Sequence, residues 1–417
     1  MPRPVLLPTE PVERALTLST VTAAASTGLF YSVSALYFTR VIGLSAPTVG
    51  LGLTIAGAVG VAASFAGGQL ADRVGADRLQ LVANAVQGAA LLAYVWAGTA
   101  VTFTLIACVA VGGRSLQGTA KATLQARWFT GPERVAVRAR LRVVTNVFIG
   151  LGTCLAAAAL VVGTAEAYRA TMVLVAVLTA LATIPLAGLR ARAPGLVEAL
   201  ARTLDEGGDP VRGPSPLRDR TYLTSVALNS VIAMQFGMQS VGVPLWIATR
   251  TEAPTVVISV LLVVNTVLVA LFQVRASRGT HEIGHAGRTV RRGSLLLAAA
   301  CLLYGSAGSG GAVAAVVVLV AAELLGTAAE IWCEAGGWGL AFELADPRSA
   351  GAYQGLSQTG YALANMLAPL VVTATAVDHG MPGWVLLAAV FAAAGTGVGA
   401  LAGRAATRRT QPVALMA

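Results

Sequence analysis

Twelve apolar blocks of about twenty residues, separated by short charged breaks, run through this 417-residue sequence and restrict its fold more than any motif does. A helix needs about twenty apolar residues to cross roughly 30 Å of hydrocarbon. Lipid offers no water to backbone N–H and C=O groups, so each block must be a helix, whose hydrogen bonds close within its own segment. The blocks lie near 15–38, 47–70, 79–98, 101–122, 143–163, 170–189, 221–246, 254–274, 294–308, 311–334, 352–376 and 384–403. Charged residues are only 12% of the chain against 56% hydrophobic, and the mean hydropathy is +0.74. A soluble domain carries about 25% charge, so this chain lacks the polar surface to face water. The expected fold is an all-α membrane protein with twelve transmembrane helices.

The basic residues orient those spans. Of 29 Lys and Arg, 24 fall in the N-terminus, the even-numbered loops and the C-terminus. Three (Arg40, Arg169, Arg250) fall in odd-numbered loops, and two (Arg114, Lys121) lie within the fourth span. Basic loops stay cytoplasmic, so both termini are expected in the cytoplasm. The net charge of +10 is accounted for as a topology signal, and no nucleic acid partner is expected. One lysine against 28 arginines, with abundant Ala and Gly, fits a GC-rich bacterial genome and hence a multi-pass protein of the bacterial inner membrane.

The longest polar stretch, 190–220, divides the chain into an N-terminal six-helix half (1–189) and a C-terminal one (221–417). Part of it, GLVEALARTL, has the pattern of a short amphipathic surface helix. The halves look like copies. Thr39-Arg40 is followed by Ala46–Val49 (APTV), and Thr249-Arg250 by Ala253–Val256 (APTV again), each pair of signals placed where the second helix of a six-helix unit opens. Such pseudo-symmetric bundles build a substrate site at the repeat interface near the midplane.

Cys108, Cys154, Cys301 and Cys333 are widely spaced within apolar segments and read as small apolar residues rather than disulfide partners or metal ligands. His281, His285 and His379 sit in polar loops, so no metal is expected. The polar N-terminus runs straight into a long first span with no small-residue cleavage site, which reads as an uncleaved helix. No phosphate-binding loop, nucleophile triad or zinc spacing appears, and neither an enzyme nor a bound cofactor is expected.

The sharpest local motif is GGQLADRVGADRL, 67–79, in the loop between spans two and three. Its glycines permit close helix approach and a tight turn. Asp72 at the membrane boundary is placed to accept from a helix N-terminus or to pair with an arginine. Gly68-x3-Asp72-Arg73-x-Gly75, with Arg78 beyond it, resembles the loop 2–3 signature of the major facilitator superfamily, although Ala76 and Asp77 stand where that family has a basic pair. Arg114-Ser-Leu-Gln117-Gly118 is similar to its R-x-x-Q-G element. The resemblance implies a secondary transporter, with Gly68, Asp72, Arg73, Gly75 and Arg78 gating the cytoplasmic side and Arg114 associated with proton coupling. The fifth span lacks the Gly-Pro pattern of the family's typical drug/proton antiporters.

Ionisable residues inside a membrane are costly and by default functional. At 100° per residue, steps of seven and eleven return to within about 20° of the starting direction. Arg114, Lys121 and Gln125 therefore form one stripe on span four, and Glu323, Glu330 and Glu334 another on span ten. The stripes occupy equivalent positions in the two halves, carry opposite charge and each cover roughly 16 Å. The expectation is that they face one another across a central cavity, with Arg114 and Glu323 as buried charges. In the alternative reading Glu334 lies at the headgroups and Lys121 snorkels to the inner interface. Tyr31, Gln117, Lys121, Gln235, Gln239, Asn265, Gln358 and Asn365 are candidates to contact a small-molecule substrate, with Phe30 and Trp246 as further aromatic wall; helix–helix hydrogen bonding is the competing role for each. Together these features predict proton-coupled export of small, partly apolar organic molecules by a monomer in the lipid bilayer. Uptake of a metabolite or sugar, and a non-transporting receptor or scaffold, are the alternatives.

Overall fold

The computed structural model describes residues 8–200 and 213–414, with side chains to residue 408. Among the described residues there is no strand, and twelve long helices account for most of the chain: α1 Pro11–Val41, α2 Ala46–Val74, α3 Ala76–Trp96, α4 Ala100–Trp128, α5 Gly131–Val162, α6 Ala165–Leu181, α7 Arg220–Arg250, α8 Val256–Ala276, α9 Ile283–Ser306, α10 Ala312–Glu343, α11 Pro347–Val377 and α12 Met381–Ala414. Ten of these are long and apolar enough to cross a membrane. α6 has only 17 residues, and the first turns of α9 carry Arg288, Arg291 and Arg292, which shortens its apolar stretch. Large apolar side chains lie open along the helices, Val161 at 87% and Val313 at 80% exposure, a surface a water-soluble protein does not sustain.

Local chemistry sets the helix starts. Glu10 accepts from the backbone N–H groups of Val12 and Glu13 ahead of α1. Ser45 caps α2, Thr99 and Thr102 form a reciprocal box at α4, and Asp219 caps α7 through Tyr222 N–H. Each supplies a partner to a donor the first helical turn leaves unsatisfied. The two APTV copies differ here. The first begins α2 at Ala46 behind its serine cap, whereas the second forms a turn and α8 starts at Val256. Glu252, in the place of Ser45, supplies no such cap.

The helices gather into two compact units. The first holds 1–130, 140–215 and 346–362; the second holds 131–139, 216–345 and 363–417. Within the first, α2 packs on α4, α3 on α4 and α6, and α1 on α6. Within the second, α8 packs on α10, α9 on α10 and α12, and α7 on α12. Each of these main pairings recurs six helices later, the pseudo-symmetry of two six-helix bundles. The first core centres on Phe38, Tyr94 and Phe103, the second on Trp246, Tyr304 and Trp384.

Between α6 and α7, Leu196–Leu200 is helical, with Leu196, Ala199 and Leu200 buried and the segment packed on α4; the rest of the expected surface helix, 201–204, lies outside the described residues. The four cysteines are free, and Cys154 is exposed rather than buried.

Candidate functional site

In the first unit, charges converge where α2 ends. Asp72 Oδ1 accepts from Arg127 Nη2 at 2.5 Å and from Gly351 N–H at 2.9 Å, while Oδ2 accepts from Ala352 N–H at 2.8 Å. Gly351 and Ala352 open the regular helix of α11, so the carboxylate sits on unsatisfied donors at the positive end of a helix dipole. Arg127 in turn donates to Leu200 O. Gly68 makes the approach possible: a Cβ there would run into the backbone of Gly351 and Gly355. Gly75, at φ +94, ends α2 and turns the chain into α3, a conformation that favours glycine.

Asp77, which stands where a basic residue was expected, is buried and held by Arg190 through Nε and Nη2 at 2.6 and 2.9 Å. That bond raises the Arg190 pKa above its ordinary value. Arg73 and Arg78 are exposed. Arg127, Asp77 and Arg190 were not among the sequence candidates. The usable signal was the need of a boundary carboxylate for a counter-charge, but many cytoplasmic arginines offered one.

Along α4, Arg114 is exposed and its guanidinium lies over the Tyr31 ring at 5.4 Å. The expectation of a buried Arg114 is therefore corrected: the α4 surface packed on α2 and α3 is built from small residues such as Gly112 and Gly113, and Arg114 projects elsewhere. Lys121 donates to Thr20 Oγ1 at 2.7 Å, Gln125 is buried and Gln117 half-buried.

In the second unit the carboxylates of α10 are enclosed. Glu323 accepts from Tyr304 Oη at 2.6 Å and from Thr327 Oγ1 at 3.2 Å. Asn265 Nδ2 donates to Thr327 Oγ1 at 3.2 Å and to Glu330 Oε2 at 2.9 Å. Tyr304, Glu323, Thr327, Asn265 and Glu330 thus form one connected chain of hydrogen bonds across α8, α9 and α10, with Glu323 and Glu330 both buried. Glu334 is half-buried. Tyr304 and Thr327 were missed in the sequence, where a tyrosine and a threonine in apolar spans carry no sign of what they face.

The remaining candidates separate. Gln235 is buried and its Oε1 lacks a hydrogen-bond partner among the described residues, as does Nε2 of half-buried Gln239. Gln358 is half-buried, and Asn365 and Tyr31 are exposed. Phe30 packs into the first aromatic cluster. Trp246 is not an open wall: it is buried, donates to Tyr304 O at 2.8 Å and packs edge-on against Trp384. Near the cytoplasmic ends expected for α5 and α10, Arg134 pairs with Glu343 at 3.3 Å and Arg138 lies 5.4 Å from both the Trp338 and Phe342 rings.

The profile of the Major Facilitator Superfamily matches residues 16–369. The chain belongs to that superfamily. It is accordingly a multi-pass membrane transporter, not an enzyme. No curated protein matches it. Solved structures with the same fold include the human organic anion transporter MFSD10 (TETRAN), 16% identical with a TM-score of 0.70 over 94% of this chain and 100% of that one. A bacterial homologue of the iron transporter ferroportin, in an outward-facing state with soaked iron, is 13% identical with a TM-score of 0.72 over 94% and 98%. The proton:xylose symporter XylE bound to 6-bromo-6-deoxy-D-glucose is 14% identical with a TM-score of 0.68 over 95% of each chain. At these identities the likeness is one of fold.

Proposed function

We propose that this superfamily member is a proton-coupled exporter of small, partly apolar organic molecules, working by alternating access in a bacterial inner membrane with both termini cytoplasmic. The observation that carries the reading is the enclosed chain from Tyr304 through Glu323, Thr327 and Asn265 to Glu330. Two carboxyl groups linked by hydroxyl and amide groups inside a membrane span are a costly arrangement, of the kind that marks a proton path. Glu323 and Glu330 are assigned the proton-carrying role, with Glu334 and Arg114 as further proton-coupling groups.

Asp72 is assigned the gate. Its grip on the α11 N-terminus and on Arg127 has the form of a latch that must open once per cycle, with Gly68 and Gly75 giving it the close approach and turn, and Arg73 and Arg78 presenting charge beside it. The repeats are assigned as 1–189 and 221–417, with 190–220 between them. Tyr31, Gln117, Lys121, Gln235, Gln239, Asn265, Gln358 and Asn365 are the groups assigned to cargo contact, Lys121 and Asn265 being also bonded to Thr20 and Glu330. The fold itself does not choose cargo, since the related structures include transporters of organic anions, iron and xylose by their descriptions. The scarcity of polar groups within the spans is what supports partly apolar cargo and outward movement.

The test is flux in proteoliposomes under an imposed pH gradient, with ethidium and fluorescein as cationic and anionic dyes. Dye movement should follow the gradient and reverse with it, and both Glu323→Gln and Glu330→Gln should uncouple it. Flux indifferent to the gradient, or unchanged in both variants, overturns the coupling.

A further inference from the structure

On the surface of the second unit, α8 and α10 leave a groove of about 430 Å³ between them. Leu268, Phe272, Arg275 and Ala276 form one wall, and Leu324, Ala328, Ile331 and Trp332 the other. Both sets follow the same steps of four, seven and eight residues, so each is a single stripe along its helix. The groove exists because Ala276 and Ala328 are small while Phe272, Leu324 and Trp332 stand open at 49%, 45% and 37% exposure. Its floor is fixed by two bonds between the helices, Asn265 to Glu330 at 2.9 Å and Gln273 Nε2 to Ile331 O at 3.4 Å. The volume lies within the range of small-molecule sites, and the stripes run about 11–12 Å, most of the roughly 15 Å depth of one hydrocarbon leaflet.

One end of this apolar groove is not apolar. Arg275, in the last turn of α8, is exposed, and its guanidinium makes no hydrogen bond or ion pair among the described residues. α8 and α10 are separated by one helix and so run in the same direction, and Trp332 lines the groove together with Arg275 and Ala276. A cation and an indole at the rim, with an apolar slot leading from them towards the midplane, match a phosphate headgroup, a glycerol ester carbonyl and an acyl chain in that order. Cations at this level attract anionic lipid, and tryptophan favours the headgroup boundary.

We propose that the α8–α10 groove is a binding site for one anionic phospholipid of the leaflet on the Arg275 side, its phosphate on Arg275 and one acyl chain between the Leu268 and Leu324 stripes. The proposal requires the chain to reside in a membrane and is independent of proton coupling or cargo. By sitting between α8 and α10, the helices that carry Asn265, Glu323 and Glu330, the lipid would brace the enclosed carboxylate network.

The test is native mass spectrometry of the full chain released from detergent, titrated with phosphatidylglycerol and with phosphatidylcholine of the same acyl chains. Wild type should retain one phosphatidylglycerol about fivefold more tightly than phosphatidylcholine, the worth of one cation near an anionic headgroup. Arg275→Gln should bring the two lipids level, and Arg275→Lys should keep most of the preference. Ala328→Trp fills the slot and should lower retention of both; Ala328 lines the groove, and an unchanged thermal unfolding midpoint certifies the variant's fold. Equal retention of the two lipids by wild type overturns the site, as does Ala328→Trp with unchanged retention. Loss of dye flux in Ala328→Trp without loss of lipid would mark a cargo path and also overturn it.

Discussion

On α4 the guanidinium of Arg114 stands exposed over the face of Tyr31, and Lys121 donates to the Thr20 hydroxyl. On α10, the matching helix of the other unit, Glu323 and Glu330 are sealed among Tyr304, Thr327 and Asn265. The main packing partners of the two helices match by position, α2 and α3 for α4 and α8 and α9 for α10, so that shared packing does not dictate the difference. It follows from the side chains. An arginine carries its charge on a long stem and can remain at an open surface, whereas a short carboxylate near a helix axis is buried with its neighbours and needs donors there. An open cation is therefore free to act with little structural consequence, and an enclosed carboxylate ties function to stability.

In the first unit the carboxylate at the end of α2, Asp72, gathers three donors, and removing it should have the largest effect. Asp72→Ala deletes three accepted hydrogen bonds and leaves Arg127, with its side chain 3% exposed, uncompensated. The expected cost is about 3–5 kcal/mol, read as a lowered thermal unfolding midpoint in micelles; Asp72→Asn, which keeps an acceptor, should recover part of it. A variant as stable as wild type would show that enclosure at this end contributes nothing.

Next is the second unit. Tyr304→Phe strips Glu323 of its 2.6 Å donor without changing the ring's shape, and should cost about 1–3 kcal/mol. The loss should shrink when Glu323 is already Gln, because the neutral side chain demands less of its donors. Equal losses in both backgrounds would show that Tyr304 acts through packing alone.

Arg114→Ala sharpens the contrast. It should move stability by no more than about 0.5 kcal/mol while gradient-driven dye flux falls. Destabilisation equal to that of Tyr304→Phe would erase the distinction between the open and the enclosed charge. The smallest effect belongs to Asp346, whose pKa is depressed by its hydrogen bonds from Arg348. A depressed carboxyl contributes stability above its unfolded pKa and loses it as pH falls through the folded value. The difference between wild type and Asp346→Asn should thus be present at neutral pH and vanish in acid, measured as unfolding midpoint against pH; a difference that persists in acid would contradict the pairing.

Hydrophobic block length made the helices legible, because lipid leaves the backbone no alternative. Asp72 was legible as well, since a carboxylate at a membrane boundary requires a donor, but its partners were not: Gly351 and Ala352 are almost three hundred residues away, and no local pattern encodes that distance. Arg114 was placed on the right stripe but expected to be buried, because helical periodicity gives a direction around an axis and not what fills it. Trp246 misled for the same reason, an aromatic in a span being equally suited to a cavity wall or a core.

What the sequence determined by itself was the solvent, the number of helices and the opposite charges on α4 and α10, all properties of single segments governed by the transfer cost of apolar and charged groups. Only the tertiary structure decided which charges are open and which enclosed, that Asp77 answers Arg190, that Tyr304 serves Glu323, and that α8 and α10 part around a groove. Those outcomes depend on which side chains from distant segments meet, and on whether a small residue such as Ala328 leaves room between them.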